Sequence, residues 1–247
     1  MFGLKIFMHA ARMVLSNWQN ALRIAVVPVA VGFGAATLAQ SLLILPVQAG
    51  LVGPEPGGGS SAGMLVPALI WLLATMWIFV NWHRYILLEE SPRGWVPPLP
   101  LGHIGAYIFK GIQMALLAAL GFAPVMAVAL AIGFGRLAMV LAVIWAGSAI
   151  YGFFRLSPVL PAAAVGAQLG FLEAWQATRP GAGAVVVVIF LVLALEQVTS
   201  FVGTQIFVLN PFLGMAALGV FWAVTSLISV STLTTLYGHF VQGRALG

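Results

Sequence analysis

Six runs of apolar residues, each long enough to cross a lipid bilayer, dominate this chain of 247 residues. A membrane-spanning helix needs about 20 consecutive apolar residues, a run that is too long for one face of a soluble helix. Charged residues make up 6% of the chain and apolar residues 62%. Since roughly a quarter of an ordinary soluble domain is charged, the bilayer is the solvent in which this chain folds.

The runs predict an all-α fold, a polytopic bundle of about six transmembrane helices in a single integral membrane domain. Short polar or Pro-rich stretches pair the runs into three hairpins. A cleaved signal peptide is the alternative for the first run, because Val47-Gln48-Ala49 resembles a cleavage site, but that run is too long for a signal sequence. The domain covers residues 1–247 and the predicted spans are 22–43, 64–87, 111–132, 137–154, 183–208 and 212–237.

The N-terminal segment, residues 1–20, carries a polar stripe that is typical of an amphipathic helix. Steps of alternately four and three residues place its polar side chains on one helical face, while Phe7 and Val14 belong to the apolar face. The pattern predicts a helix in the membrane plane, with a basic edge toward anionic headgroups. Comparable interfacial segments precede the third and fifth spans. The stripe consists of Lys5, His9, Arg12, Ser16, Gln19 and Arg23.

Basic residues fall unequally on the two sides of the predicted bundle. With the N-terminus inside, nine Lys and Arg residues are cytoplasmic and Arg136 is external. Both termini are therefore predicted to be cytoplasmic, and the loop GPEPGGGSS, residues 53–61, external and flexible. Basic side chains near helix ends reach the headgroups by snorkelling. The candidates for lipid-headgroup contact are Lys5, Arg12, Arg23, Arg84, Lys110, Arg155 and Arg179.

The stretch VNWHRYILLEESPRG, residues 80–94, concentrates scarce charge directly after the second span. The simplest interpretation is the cytoplasmic end of a hairpin, where Ser-Pro turns the chain along the membrane surface and the charges form salt bridges or contact headgroups. RLSPVLP repeats the pattern after the fourth span. The alternative is a metal site formed by His83, Glu89, Glu90 and His103, although their spacing matches no helical pair of ligands.

Enzymatic chemistry has little support in the composition. Cysteine and aspartate are absent, which excludes thiolate sites and a Ser-His-Asp triad, and no Gly-x-Ser-x-Gly motif occurs. Glu89 and Glu90 are adjacent, so on a helix they project about 100° apart and make a poor acid–base pair. The sequence therefore predicts no catalytic residue, no cofactor and no metal. The net charge of +5 is explained by membrane topology and indicates no nucleic-acid partner.

One ionisable residue, Glu196, lies near the middle of the fifth span. Such residues are costly in lipid and by default indicate function. Ser200 follows one helical turn later, and Thr225 and Ser229 form a comparable polar face on the sixth span. The favoured hypothesis is a protonated or hydrogen-bonded Glu196 that links the two spans. The alternative is a proton or substrate relay.

Short motifs at the helix ends, WHRYILLEE, RLSPVLPAAAVG and FLEAWQATR, resemble those of a group of uncharacterised bacterial integral membrane proteins. The group is similar to the membrane domain that precedes some glycerophosphodiester phosphodiesterases. The resemblance implies a membrane domain of three hairpins. It carries over no activity, because the chain has no catalytic domain of that kind. Richness in Ala, Gly, Val and Leu, with Arg in place of Lys, indicates a GC-rich bacterial genome and hence the bacterial inner membrane.

Two classes of function follow. The first is a non-enzymatic membrane protein that organises lipids, through anionic headgroups, or partner membrane proteins, either as a homo-oligomer or as an accessory subunit of a larger complex. The second is a small transporter or channel-like protein with Glu196 in its pathway. Pro28 and Pro124 are predicted to interrupt the first and third spans, as in many transporter helices.

The hairpin scheme makes a topology prediction. Reporter fusions after Gly58 should give an external signal, while fusions after Gly94 and Gly247 should give a cytoplasmic one. Enzymatic reporters that are active on only one side of the membrane measure this directly. A cytoplasmic signal at Gly58 would overturn the scheme.

Overall fold

The computed structural model of the protein describes residues 2–48, 61–131, 133 and 135–246, and all regular secondary structure in these ranges is helical. The predicted all-α fold is therefore confirmed. Most of the Gly-rich loop lies outside the described residues. The helices are α1 Phe2–Ser16, α2 Trp18–Gln48, α3 Ser61–Leu88, α4 Leu101–Ala131, α5 Arg136–Leu156, α6 Val159–Val165, α7 Phe171–Ala177, α8 Ala182–Leu209 and α9 Pro211–Phe240. A 3₁₀ turn, Arg179–Gly181, joins α7 to α8.

Six helices within the described ranges, α2, α3, α4, α5, α8 and α9, are long and apolar enough to cross a membrane. The protein is a multi-pass membrane protein whose spans pack as the hairpins α2–α3, α4–α5 and α8–α9. Helices α2 and α4 continue through Pro28 and Pro124, so the predicted interruptions are wrong. Proline is tolerated in a membrane helix because neighbouring groups satisfy the freed backbone.

The bundle is held together at one end, called here the packed end, where α2, α4 and α8 begin and α3, α5 and α9 finish. All three hydrophobic clusters of buried residues are formed by the halves of the long helices nearest this end, together with the short helices α1, α6 and α7. A bond across the end joins the Arg244 guanidinium to the carbonyl of Leu87, at 2.9 Å. In the opposite halves most large apolar side chains are exposed, as expected for helices that face lipid.

Helix α9 is the centre of the packed end. Every residue from Val230 to Gly238 is buried, because α1, α3, α6 and α8 all pack against this segment. Its threonine hydroxyls donate to carbonyls of the preceding turn: Thr232 donates to Ile228 at 2.9 Å, and Thr235 to Ser231 at 2.8 Å. Small hydroxyl residues of this kind allow neighbouring helices to approach closely.

The three predicted interfacial segments differ from one another in the structure. The first is the separate helix α1, divided from α2 at Asn17. The third contains the separate short helix α7. The second does not exist as a separate element, because α4 runs unbroken from Leu101 through the predicted segment and into the span. The residues between His103 and Gln113 include two isolated glycines, Gly105 and Gly111, and no proline. A helix tolerates isolated glycines, so nothing in this segment ends α4.

Helix α1 packs on protein rather than on lipid alone. Its buried face is formed by Gly3, Ile6, Ala10 and Val14, and it contacts α8 and α9. A Cβ atom at Gly3 would lie 2.5 Å from the carbonyl oxygen of Ala184, so the two backbones touch there. A helix lying in the membrane plane would turn its apolar face, with Val14, toward lipid, but Val14 is buried in protein. A stripe at helical spacing reveals an apolar face but not what covers it.

The prediction that RLSPVLP turns the chain along the membrane surface is wrong, because part of this segment forms the buried helix α6. Pro158 ends α5, but the chain then turns into the bundle, and residues 158–164 are all buried against α3, α4 and α9. Gly166 closes α6 in a left-handed conformation, with φ of 78°, that favours glycine. The segment is short and made of Val, Leu, Pro and Ala, so it is buried without leaving polar side chains unsatisfied.

The backbones of α8 and α9 lie in close contact at Gly214, and this contact predicts that a methyl group added there is destabilising. A Cβ atom at Gly214 would overlap the backbone of Phe207, whereas one at Gly219, on the same helix, would meet nothing within 4 Å. Gly214→Ala should therefore destabilise the protein by about 1–3 kcal/mol through overpacking. Thermal unfolding in detergent measures the change. Gly219→Ala is the matched control and should be neutral or slightly stabilising, and equal effects of the two changes would contradict the packing argument.

Candidate functional site

All seven basic residues predicted to contact headgroups belong to the packed end or to the segments that lead to it. Lys5, Arg12, Arg23 and Arg179 are exposed. Lys110 is half-buried, with its Nζ 5.0 Å from the ring centre of Phe171. The exposed positions suit contact with lipid headgroups, and this contact stays a prediction.

Arg84 is fixed by an ion pair at the end of α3. Its Nε donates to Glu90 Oε2 at 2.9 Å and its second terminal nitrogen donates to Oε1 at 2.7 Å, which makes the pair bidentate. The remaining nitrogen donates to the carbonyl of Ala164, at 3.3 Å. The pair is the one salt bridge among the described residues. It ties α3 to the following loop and to α6, and it leaves little of the guanidinium for headgroups.

Arg155 contradicts the prediction of headgroup contact, because it is only 3% exposed. Its three nitrogens donate to Thr178 Oγ1 at 2.8 Å, to the Tyr151 hydroxyl at 2.9 Å and to the carbonyl of Trp175 at 2.6 Å. The guanidinium carbon also lies 4.2 Å from the ring centre of Trp175. With one hydrogen bond from each nitrogen and its guanidinium against the Trp175 ring, Arg155 joins the end of α5 to the segment before α8. The motif FLEAWQATR supplies two of these partners.

A buried polar link between α3 and α9 is a feature that the sequence analysis missed. Trp82 Nε1 donates to Ser231 Oγ at 2.7 Å, and His83 Nδ1 lies 2.8 Å from Thr234 Oγ1. Thr234 already donates to a carbonyl of α9, so its oxygen accepts from His83. The other ring nitrogen of His83 faces the Tyr107 hydroxyl at 3.4 Å. Its nitrogens are thus occupied, which contradicts the metal-site hypothesis that included His83.

The four polar residues predicted inside the membrane come together along one lateral groove. An inner cavity of about 650 Å³ lies between α5, α8 and α9, and a seam cavity of about 510 Å³ lies between α8 and α9. Glu196 and Ser226 line both cavities, so the two are called here the Glu196 groove. Ser229 lines the inner cavity, while Ser200 and Thr225 line the seam cavity.

Glu196 makes no bond to the sixth span. Its side chain is exposed, and it has no hydrogen bond or salt bridge to any residue that the structure describes. The predicted interhelical bond is therefore absent, because the carboxylate points along the α8–α9 seam into the groove. Thr225, by contrast, is satisfied within α9, where it donates to the carbonyl of Phe221 at 2.8 Å.

A second polar group in the groove also lacks a partner. Ser229 Oγ is buried and has no hydrogen bond among the described residues. An unsatisfied buried hydroxyl costs about 1–3 kcal/mol. Together with Glu196 it gives the groove one carboxyl group and one hydroxyl that have no hydrogen-bond partner in the described part of the chain.

The depth of Glu196 in the membrane determines the free-energy cost of its charge. The residue lies fourteen positions after Ala182 and thirteen before Leu209, the bounds of α8. With a rise of 1.5 Å per residue, it is about 20 Å from either end of the helix. A charged carboxylate at such a depth costs about 3 kcal/mol or more. Because its side chain bears this cost without a partner among the described residues, Glu196 is the candidate functional residue of the protein.

The interior position of Arg155 makes a stability prediction. Lysine has no planar fork and stacks poorly, so Arg155→Lys loses bonds to Thr178, Tyr151 or Trp175 and should destabilise the protein by about 2 kcal/mol. The midpoint of thermal unfolding in detergent measures the loss. Arg136→Lys, at an exposed basic residue that begins α5, is the control. Equal midpoints for the two variants would show that the Arg155 contacts are not stabilising.

Comparisons with known proteins were made against protein-family models, curated proteins and solved structures, and no match was found in any of the three. The fold and the Glu196 groove are therefore inferred from the sequence and structure of this protein alone. The resemblance to uncharacterised bacterial membrane proteins stays a prediction.

Proposed function

We propose that this protein is a non-enzymatic membrane protein that binds a transmembrane helix of a partner in the Glu196 groove. The observation that carries the proposal is an exposed carboxyl group at mid-span without a partner among the residues that the structure describes. Its cost is removed when a donor from another molecule reaches it. The protein would act as an accessory subunit or organiser of a membrane complex.

The depth of Glu196 favours a protein partner over a lipid. A phospholipid keeps its headgroup at the interface and presents only hydrocarbon at the middle of the bilayer. A hydrogen-bond donor at that depth is therefore best supplied by a side chain on a membrane-spanning helix, such as Lys, Arg, His or Asn. Such polar residues are rare in spans and face protein partners.

The lining of the groove suits contact with a helix. Ser200, Ser226 and Ser229 are small, and small residues allow helix backbones to approach closely. On the other side, Trp145, Ala149 and Phe153 line the inner cavity from successive turns of α5. The groove thus offers apolar contact along a helix of the partner and one polar anchor beside it.

The proposed location is the bacterial inner membrane, with both termini in the cytoplasm. All ten Lys and Arg residues are described, and nine of them lie at the packed end or in the segments that lead to it, while Arg136 begins α5 at the other end. This arrangement supports the orientation, since Lys and Arg accumulate in cytoplasmic loops. The basic residues at the packed end would contact anionic headgroups there.

The proposal predicts selective binding of a defined helix. The probe is a synthetic spanning peptide of about 20 apolar residues with one central Lys, and fluorescence transfer to the labelled protein in lipid vesicles measures binding. The wild-type protein should bind it more tightly than an all-apolar peptide. Glu196→Leu should weaken binding of the Lys peptide about fivefold, which corresponds to about 1 kcal/mol for a polar contact in the membrane.

Two variants control this experiment. Gln197→Leu removes a neighbouring polar side chain that is exposed but lines neither cavity, and it should leave binding unchanged. Glu196→Leu should not lower the unfolding midpoint, because Glu196 makes no bond within the described chain. A loss of stability would instead support the interhelical bond predicted from the sequence. Equal binding of both peptides to the wild-type protein would overturn the proposal.

The transporter hypothesis is tested in the same vesicles. It requires pH-dependent proton or solute flux that Glu196→Gln abolishes while stability is kept. Such flux in the wild-type protein would contradict the proposed binding role. Self-association that depends on Glu196 would identify a second copy of this chain as the partner.

A further inference from the structure

A polar cavity at the packed end is separate from the Glu196 groove. It has a volume of about 710 Å³ and lies where α3 ends and the segment 89–98 folds back beside α2. The carbonyl of Pro98 fixes this segment, because it accepts from Trp77 Nε1 at 2.7 Å and from Asn81 Nδ2 at 3.0 Å. These two hydrogen bonds fix the segment 89–98, which forms one wall of the cavity, against α3.

The charges that line the cavity are balanced but not all paired. Arg84 and Arg93 contribute two guanidinium groups, and Glu89 and Glu90 two carboxylates. Arg84 and Glu90 neutralise one another in the bidentate pair. Glu89 and Arg93 have no ion pair with each other or with another described residue. The cavity thus presents one free negative and one free positive group, which is complementary to a zwitterion.

Exposed apolar residues place this cavity at the level of the headgroups. The segment 89–98 carries Trp95 and Val96, which are 59% and 70% exposed, and the next residue, Leu99, is 54% exposed. Large apolar side chains in an irregular segment are unfavourable in water, whereas Trp is enriched at the membrane interface. The end of a transmembrane helix lies at the same level, and here that is Leu88 at the end of α3.

We propose that this cavity binds the headgroup of a zwitterionic phospholipid that carries a primary ammonium, of the phosphoethanolamine type. The phosphate accepts from Arg93 and from the Ser91 hydroxyl, and the ammonium donates to Glu89. An ammonium with N–H groups suits a carboxylate better than a trimethylated one does, since quaternary ammonium is recognised chiefly by aromatic rings. None of the described residues that line the cavity is aromatic.

The test compares three short-chain phospholipids that differ only in the headgroup: phosphoethanolamine, phosphocholine and phosphoglycerol. Each is titrated into the purified protein in detergent, and native mass spectrometry measures the lipid-bound fraction. The wild-type protein should bind the phosphoethanolamine lipid about fivefold more tightly than the other two, the upper range for an exposed ion pair. A preference for phosphoglycerol would overturn the proposal and leave only a basic surface.

Substitutions at Glu89 and Arg93 test the role of each charge in headgroup binding. Glu89→Gln should remove the preference for phosphoethanolamine over phosphocholine, and Arg93→Gln should weaken binding of all three lipids. Glu89 has φ of 59°, so Glu89→Asn is a second uncharged variant that suits this conformation. Arg136→Gln, at a basic residue outside the cavity, should change nothing. An unaltered lipid preference in both Glu89 variants, with unfolding midpoints like that of the wild type, would overturn the site.

Discussion

The two hydrogen bonds from Trp82 and His83 to hydroxyls of α9 are the contact on which the packed end depends. In lipid, apolar side chains gain little by leaving their surroundings, so close packing and hydrogen bonds hold helices together. Both donors lie on α3, and both acceptors lie in the segment of α9 that four other helices surround. Helix α3 and helix α9 thereby form the axis against which α1, α6 and α8 pack.

Arg155 and Glu196 show two opposite solutions to the cost of an ionisable group in a membrane protein. Arg155 is enclosed, and each of its nitrogens has a partner within the chain, so the guanidinium links α5 to the segment before α8. Glu196 is exposed at mid-span without such a partner among the described residues. A group of the second kind is costly in lipid, and this cost is the basis of the proposed binding role.

The two proposed sites are separated by depth, and depth decides the chemistry that each can recognise. At the middle of the bilayer lipids present hydrocarbon, so the partner proposed for the Glu196 groove is a side chain of another spanning helix. At the interface the available polar groups include phosphates and ammonium groups of lipids, so the ligand proposed for the cavity beside Glu89 and Arg93 is a headgroup. Binding of a lipid at one end and of a helix along the side are compatible, since the sites share no lining residue.

The sequence by itself determined the class of the fold, because an apolar run of about 20 residues has only one stable arrangement when lipid is the solvent. It also singled out Glu196, Ser200, Thr225 and Ser229, since polar residues stand out against an apolar background. Helical spacing placed Ser200 near Glu196 on one helix, but it did not show whether Glu196 faces the sixth span.

Only the tertiary structure decided which side each polar face meets. In the folded protein Glu196 lines a lateral groove, and Arg155 is buried rather than placed at the headgroups. Val14 is covered by protein, and α6 lies in the interior. Each of these outcomes depends on contacts between segments far apart in the chain, such as Arg155 with Thr178 and Trp82 with Ser231. Helical periodicity is a local property and carries no information about such partners, which is why they emerge only when the hairpins are packed together.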